Sequence, residues 1–169
     1  MHIDRFTLEI IAALDGVELP REYLQFTLDK YKSLENRVSV EEKQAAREKF
    51  KSDSKDRGTP RAMSRLLSMI QTGNLLASGY AELLFKIMQR CKTSSQRIMG
   101  FLPLGVCVAH KTGSASGYTN DVGIVYLPNN RGEVALSIYV EHEEVPVNMA
   151  ERIIAEVARN VINYFLFQQ

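Results

Sequence analysis

The sequence predicts a mixed α/β fold of the α+β kind: an antiparallel sheet of three strands with helices packed on it. Three observations carry this. Apolar residues recur at helical spacing through the first half of the chain. Between residues 105 and 141 the pattern changes to short apolar runs separated by turn residues. One long amphipathic stretch then closes the sequence.

Taken in order, "FTLEIIAAL" has the helical period and is broken by Gly16 and Pro20. "PREYLQFTLDKYKSL" reads as a second helix, with Pro20 suited to a first turn. "SVEEKQAAREKF" is a third, and Ser39 with Glu42 forms a capping box. "KSDSKDRGTP" is polar and turn-rich, hence a loop. "TPRAMSRLLSMIQTG" opens with Thr59 as cap and Pro60 at the first helical position, and stops at Gly73. "SGYAELLFKIMQRC" is a further helix, which Ser78 is placed to cap. "GVCVAH", "NDVGIVYLP" and "EVALSIYVE" are strands. Their short connections imply an antiparallel meander. In "NMAERIIAEVARNVINYFLF" the apolar positions 149, 153, 154, 157, 161 and 165 predict the stripe that covers one face of the sheet.

Composition excludes several classes. The 169 residues suit one domain, or half of a larger one. A net charge of +1 gives no basic field for nucleic acid or anionic lipid. No apolar run approaches the roughly 20 residues of a membrane span. Two cysteines, Cys91 and Cys107, make no disulfide framework. Three scattered histidines, His2, His110 and His142, do not suggest a metal site, and no cofactor is expected.

The chemistry-bearing stretch is "HKTGSASGYTNDVGIVYLP". Lys111-Thr112-Gly113 follows a strand directly. A lysine there can hold an anion, a threonine can donate to it, and a glycine lets a ligand approach the backbone. Alone, such a triplet is usually a solvated lysine before a turn. The flanking residues change that. "LPLGVCVAHKTGSASGYTNDVGIVYLP" resembles the C-terminal part of class A serine β-lactamases, the penicillin-recognising serine hydrolases, and the extended omega-loop members look closest. The likeness includes the "LPxG" turn, the KTG triplet and the "TND" opening the next strand. It extends over roughly residues 53–167. KTG is one signature element of these enzymes and of penicillin-binding proteins.

The resemblance implies a β-lactamase/transpeptidase-like fold with five strands when complete. It implies that Lys111 and Thr112 bind the β-lactam carboxylate, that Gly113 leaves room for the ligand, and that the Ser114 backbone N–H forms half of the oxyanion hole. One such donor is typically worth on the order of 100- to 1,000-fold in rate. Asp56 matches the aspartate that closes the omega loop, and Arg5 in "HIDRF" is its candidate partner. The implied domain organisation is a helical omega-loop region with an insertion over 1–58, then helices, KTG meander and closing helix over 59–169.

Other family elements have no counterpart. The one formal Ser-x-x-Lys, Ser52 to Lys55, lies in a polar loop at the wrong place in the order, and Ser-Asp-Asn is absent. The deacylating glutamate has no clear equivalent: Glu9 lies nearest, and Glu41, Glu42 and Glu48 fall in the insertion. The expectation is therefore a β-lactamase-like hydrolase lacking its nucleophile segment and inactive alone. The alternatives are a non-catalytic module of that fold, or a D-alanyl peptidase or esterase relative. The expected partners are a β-lactam or related small molecule, with no nucleic acid or membrane. The apolar strand 133–141 would be a bare edge, open to self-association or to a complementing N-terminal segment. The family implies a periplasmic or secreted location, although no signal peptide is visible.

Overall fold

A computed structural model describes residues 38–52, 57–93, 95–115, 117–142 and 145–167. The helices expected over 6–14 and 20–34, together with Arg5, Glu9 and Asp56, lie outside these residues. The chain divides into two compact units, Met1–Arg57 and Gly58–Gln169.

In the first unit, helix α1 spans Val40–Ser52. Its start is the expected capping box. The Ser39 hydroxyl accepts the Glu42 N–H at 3.2 Å, and Glu42 Oε2 accepts the Ser39 N–H at 2.8 Å. Most of its described side chains face solvent.

The second unit holds α2 (Pro60–Gln71), α3 (Ser78–Gln89), β1 (Cys107–Ala115), β2 (Tyr118–Tyr126), β3 (Glu133–Glu141) and α4 (Val147–Phe167). Thr59 caps α2, its hydroxyl accepting the Ala62 N–H. Ser78 does not cap α3. Ala77 holds the cap position and its carbonyl accepts the Tyr80 and Ala81 N–H groups, so Ser78 falls one residue inside the helix.

The strands form the expected antiparallel meander in the order β1-β2-β3. A tight turn at Gly117, with φ +79°, joins the first pair. Asn129, Asn130 and Gly132 turn the second pair with positive φ. Alternation of side chains divides the sheet into two faces. Leu67 and Ile70 of α2 and Ala81 and Phe85 of α3 pack against Ala109 and Ile124. On the opposite face Ile154, Ala158 and Ile162 of α4 pack against Val108, Val125 and Leu136. No helix among the described residues is long and apolar enough to cross a membrane.

Helix α4 is rotated from its expected setting. It buries Ala150, Ile154, Ala155, Ala158 and Ile162. Met149, Ile153, Val157 and Phe165, expected against the sheet, are exposed. Packing density explains the choice. The alanines let the helix approach the sheet and its flanking loop closely, as at Gly100, where a Cβ would lie 3.0 Å from Ala155 Cβ.

Gly123 closes β1 onto β2. A Cβ there would meet Ala109 O at 2.3 Å and His110 Cα at 2.8 Å. Backbone cannot yield as a side-chain tip can, so Gly123→Ala should destabilise by about 3 kcal/mol. Urea unfolding checks this against Gly79→Ala, where nothing lies within 4 Å and no loss is expected.

Candidate active site

Lys111, Thr112 and Gly113 do not follow β1; they lie inside it, paired with Val122, Asp121 and Asn120. The strand therefore outlasts its apolar run. Cross-strand pairing carries it on to Ala115, and β2 likewise begins at Tyr118, ahead of "TND". Among the described residues β1 has β2 as its single neighbour, so its outer edge is free of strands.

The connection from α3 to β1 rounds that edge. Cys91 and Thr93 meet it at Thr112, where the Thr93 and Thr112 hydroxyls share a 2.6 Å hydrogen bond. The Cys91 thiol lies 3.2 Å from the Thr93 hydroxyl. Burial works against its ionisation. The Thr93 hydrogen bonds, the charge of His110 and the Thr112 backbone N–H outweigh burial and hold it below the usual thiol value. The Thr112 N–H thus points off the sheet toward Cys91. Residues two apart on a strand present their N–H groups to the same side, so the Ser114 N–H also points off the edge.

Lys111 and Ser114 are exposed, whereas Thr112 is buried. The Lys111 ammonium donates to the Thr112 carbonyl and stays beside the free edge. Beneath the strand lies Arg97, which the sequence reading passed over. Its guanidinium donates to Gly113 O at 3.0 Å, Asn120 O at 2.9 Å and Ser114 Oγ at 2.6 Å, and pairs with Glu151 at 3.2 Å. A buried arginine needs such partners, and this one fixes the strand end that carries Gly113 and Ser114. The signal available in "SQRIMG" was an arginine held in an apolar, glycine-ended turn.

His110 and Asp121 are also built into this region. Asp121 is fully buried; both its oxygens lie 3.0 Å from His110 Nδ1, and Oδ2 accepts the Ile98 N–H at 3.1 Å. Burial pushes the His110 pKa down, but the hydrogen bond and charge of Asp121 more than compensate, and the net shift is upward. A proton held more tightly in the folded state adds stability in full below the unfolded value of about 6.5. That stability is lost as pH rises through the higher folded value. Urea midpoints should therefore fall as pH is raised above about 6.5, and His110→Gln should flatten the profile. His142 is held at both ring nitrogens: Nδ1 donates to Val145 O, and Nε2 shares a 2.8 Å hydrogen bond with the Thr119 hydroxyl.

Ser52, the serine of the formal Ser-x-x-Lys, ends α1 and donates its hydroxyl to Lys49 O at 2.9 Å. Glu42 is spent on the capping box, and Glu48 accepts from Gln44 on the exposed face of α1.

The Beta-lactamase enzyme family matches residues 19–165. Beta-lactamase VEB-1 of Pseudomonas aeruginosa is 36% identical over 118 residues, covering 64% of this chain and 38% of the relative. Extended-spectrum beta-lactamase PER-1 of the same organism is 31% identical over 109 residues, covering 61% and 35%. This chain thus spans well under half the length of the curated relatives it matches. Among solved structures, a beta-lactamase from Chitinophaga pinensis superposes with a TM-score of 0.61 at 33% identity, covering 69% of this chain and 47% of that one. TLA-1 extended-spectrum beta-lactamase gives 0.59 at 25% identity, covering 80% and 57%. With the meander, the KTG strand and these matches in hand, the chain belongs to the beta-lactamase enzyme family, on its class A side.

Proposed function

We propose that this chain supplies the carboxylate clamp and one oxyanion donor of a serine β-lactamase, and that the nucleophilic serine belongs to a separate segment. The observation carrying this reading is the outer edge of β1, free of strands among the described residues, where Lys111, Gly113 and Ser114 are exposed and buried Arg97 holds Gly113 O and Ser114 Oγ. Lys111 and Thr112 hold the carboxylate. Thr112 does so by exchanging its hydrogen bond with Thr93. Gly113 leaves the ligand room beside the strand, and the Ser114 N–H faces the carbonyl under attack. In the complete enzyme a serine hydroxyl adds to the lactam carbonyl, the ring C–N bond breaks with the proton passing to nitrogen, and water hydrolyses the acyl-enzyme. An omega-loop clamp between Arg5 and Asp56 belongs to the same proposal.

The second edge free of strands among the described residues, on β3, supports a complementing upstream segment that restores the sheet. Binding tests the clamp without turnover. In a nuclear magnetic resonance titration with a penicillin, Lys111→Ala should weaken binding roughly 10- to 100-fold, the value of one charge-assisted hydrogen bond. Equal binding by variant and parent would refute the clamp.

A further inference from the structure

The threonine of the clamp is tied to a thiol. Cys91, partly exposed, sits where the connection from α3 rounds the outer edge of β1. Its Sγ lies 3.2 Å from the Thr93 hydroxyl, which lies 2.6 Å from the Thr112 hydroxyl. The Thr112 N–H also turns toward the sulfur. A second group faces this thiol. β1 carries His110 between Asp121 on β2 and Cys91 beyond the edge, and the His110 side chain is 2% exposed. Asp121 takes Nδ1, while Nε2 has no hydrogen-bond partner among the described residues. A buried imidazole with one nitrogen oriented by a carboxylate and the other unspent is suited to draw a proton from a nearby thiol. Burial disfavours both charged forms. The Thr93 hydrogen bonds and the His110 charge still hold the thiol below its usual value, and Asp121 and then Cys91 hold the imidazole above its own. Arg97 acts against the imidazolium.

From this geometry we infer that Cys91 is a site of mixed-disulfide formation with low-molecular-weight disulfides, and that its modification shuts the carboxylate clamp. This rests on the reading of Lys111 and Thr112 as that clamp and adds a control on it. The Cys91 thiolate attacks one sulfur of the small disulfide. The small molecule's S–S bond breaks, a new S–S bond joins one half to Cys91, and the other half leaves as a thiolate that takes a proton from solvent. Thr112 must exchange Thr93 for a carboxylate when a ligand arrives. A substituent on a sulfur 3.2 Å from the Thr93 hydroxyl displaces that hydroxyl and fills the space the carboxylate needs.

Bis(2-hydroxyethyl) disulfide is the probe, with peptide mass spectrometry after brief reaction near neutral pH. Cys107 is the more exposed thiol, yet Cys91 should be modified roughly 10-fold faster. His110→Gln, with its fold checked by circular dichroism, should remove that advantage. In a Cys107→Ser background, complete modification should shift the amide resonances of Thr112 and Ser114 and weaken penicillin binding at least about 10-fold. Dithiothreitol should restore both. Penicillin binding by Cys91→Ser should be indifferent to the disulfide. Modification of Cys107 ahead of Cys91, an advantage that survives His110→Gln, unmoved amide resonances, or undiminished penicillin binding by the modified chain would overturn the proposal. A parent that binds no penicillin would instead sink the clamp reading, and the order of thiol reactivity and the two amide resonances would still decide the role of Cys91.

Discussion

Incubated with a chromogenic cephalosporin, the purified chain is expected to leave the substrate intact, and a fluorescent penicillin is expected to label none of its serines. A carboxylate clamp and one oxyanion donor bind and polarise, but they do not attack. Loss of the nucleophile in a serine hydrolase costs on the order of 10⁶-fold in kcat. The described serine with a formal Ser-x-x-Lys spacing, Ser52, has its hydroxyl turned back on its own helix. It stands at a helix end in a polar stretch, whereas an activated serine needs a base within hydrogen-bond reach. Stoichiometric acylation of any serine in this chain, found by mass spectrometry, would refute the assignment.

The largest expected loss of stability is at Asp121. Its carboxylate ties three segments together: β2, which carries it, β1 through His110, and the crossing connection through the Ile98 N–H. Asp121→Ala leaves a buried imidazole without its counter-charge and a buried N–H without an acceptor. Breaking a buried pair from one side costs about 3–5 kcal/mol, a large share of the roughly 5–15 kcal/mol that is typical of a whole domain. Asp121→Asn keeps an acceptor and should cost clearly less, about 1–3 kcal/mol. Urea midpoints of the two variants check the order. If Asp121→Ala unfolded at the parent's midpoint, the pair would be incidental.

Much of the fold was legible in local chemistry. Thr59-Pro60, the Ser39 and Glu42 pair, and the turn at Asn129 to Gly132 announce their elements through backbone hydrogen bonding and φ preference. The meander followed from short connections. What escaped depends on contacts distant in sequence. The KTG triplet is polar, and only its partners on β2 make it strand. The sheet-facing side of α4 was misread because large apolar residues mark a stripe more loudly than alanines, although close packing favoured the alanines. Ser78 was misread as a cap because Ala77 can hold that position through its carbonyl alone.

The candidate site divides along the same line. Lys111, Gly113 and Ser114 were readable as a motif. Arg97 was not, because its partners lie 16 to 54 residues away in sequence, the acidic one, Glu151, being the farthest. His110 and Asp121 are separated by 11 residues and meet only because β1 and β2 pair.

The most direct test supplies the upstream segment of a class A relative in trans, adds a fluorescent penicillin, and locates the acyl adduct by mass spectrometry. The account predicts an adduct on a serine of the added segment, strongly reduced when this chain carries Lys111→Ala. An adduct on a serine of this chain, or one indifferent to Lys111, would contradict it.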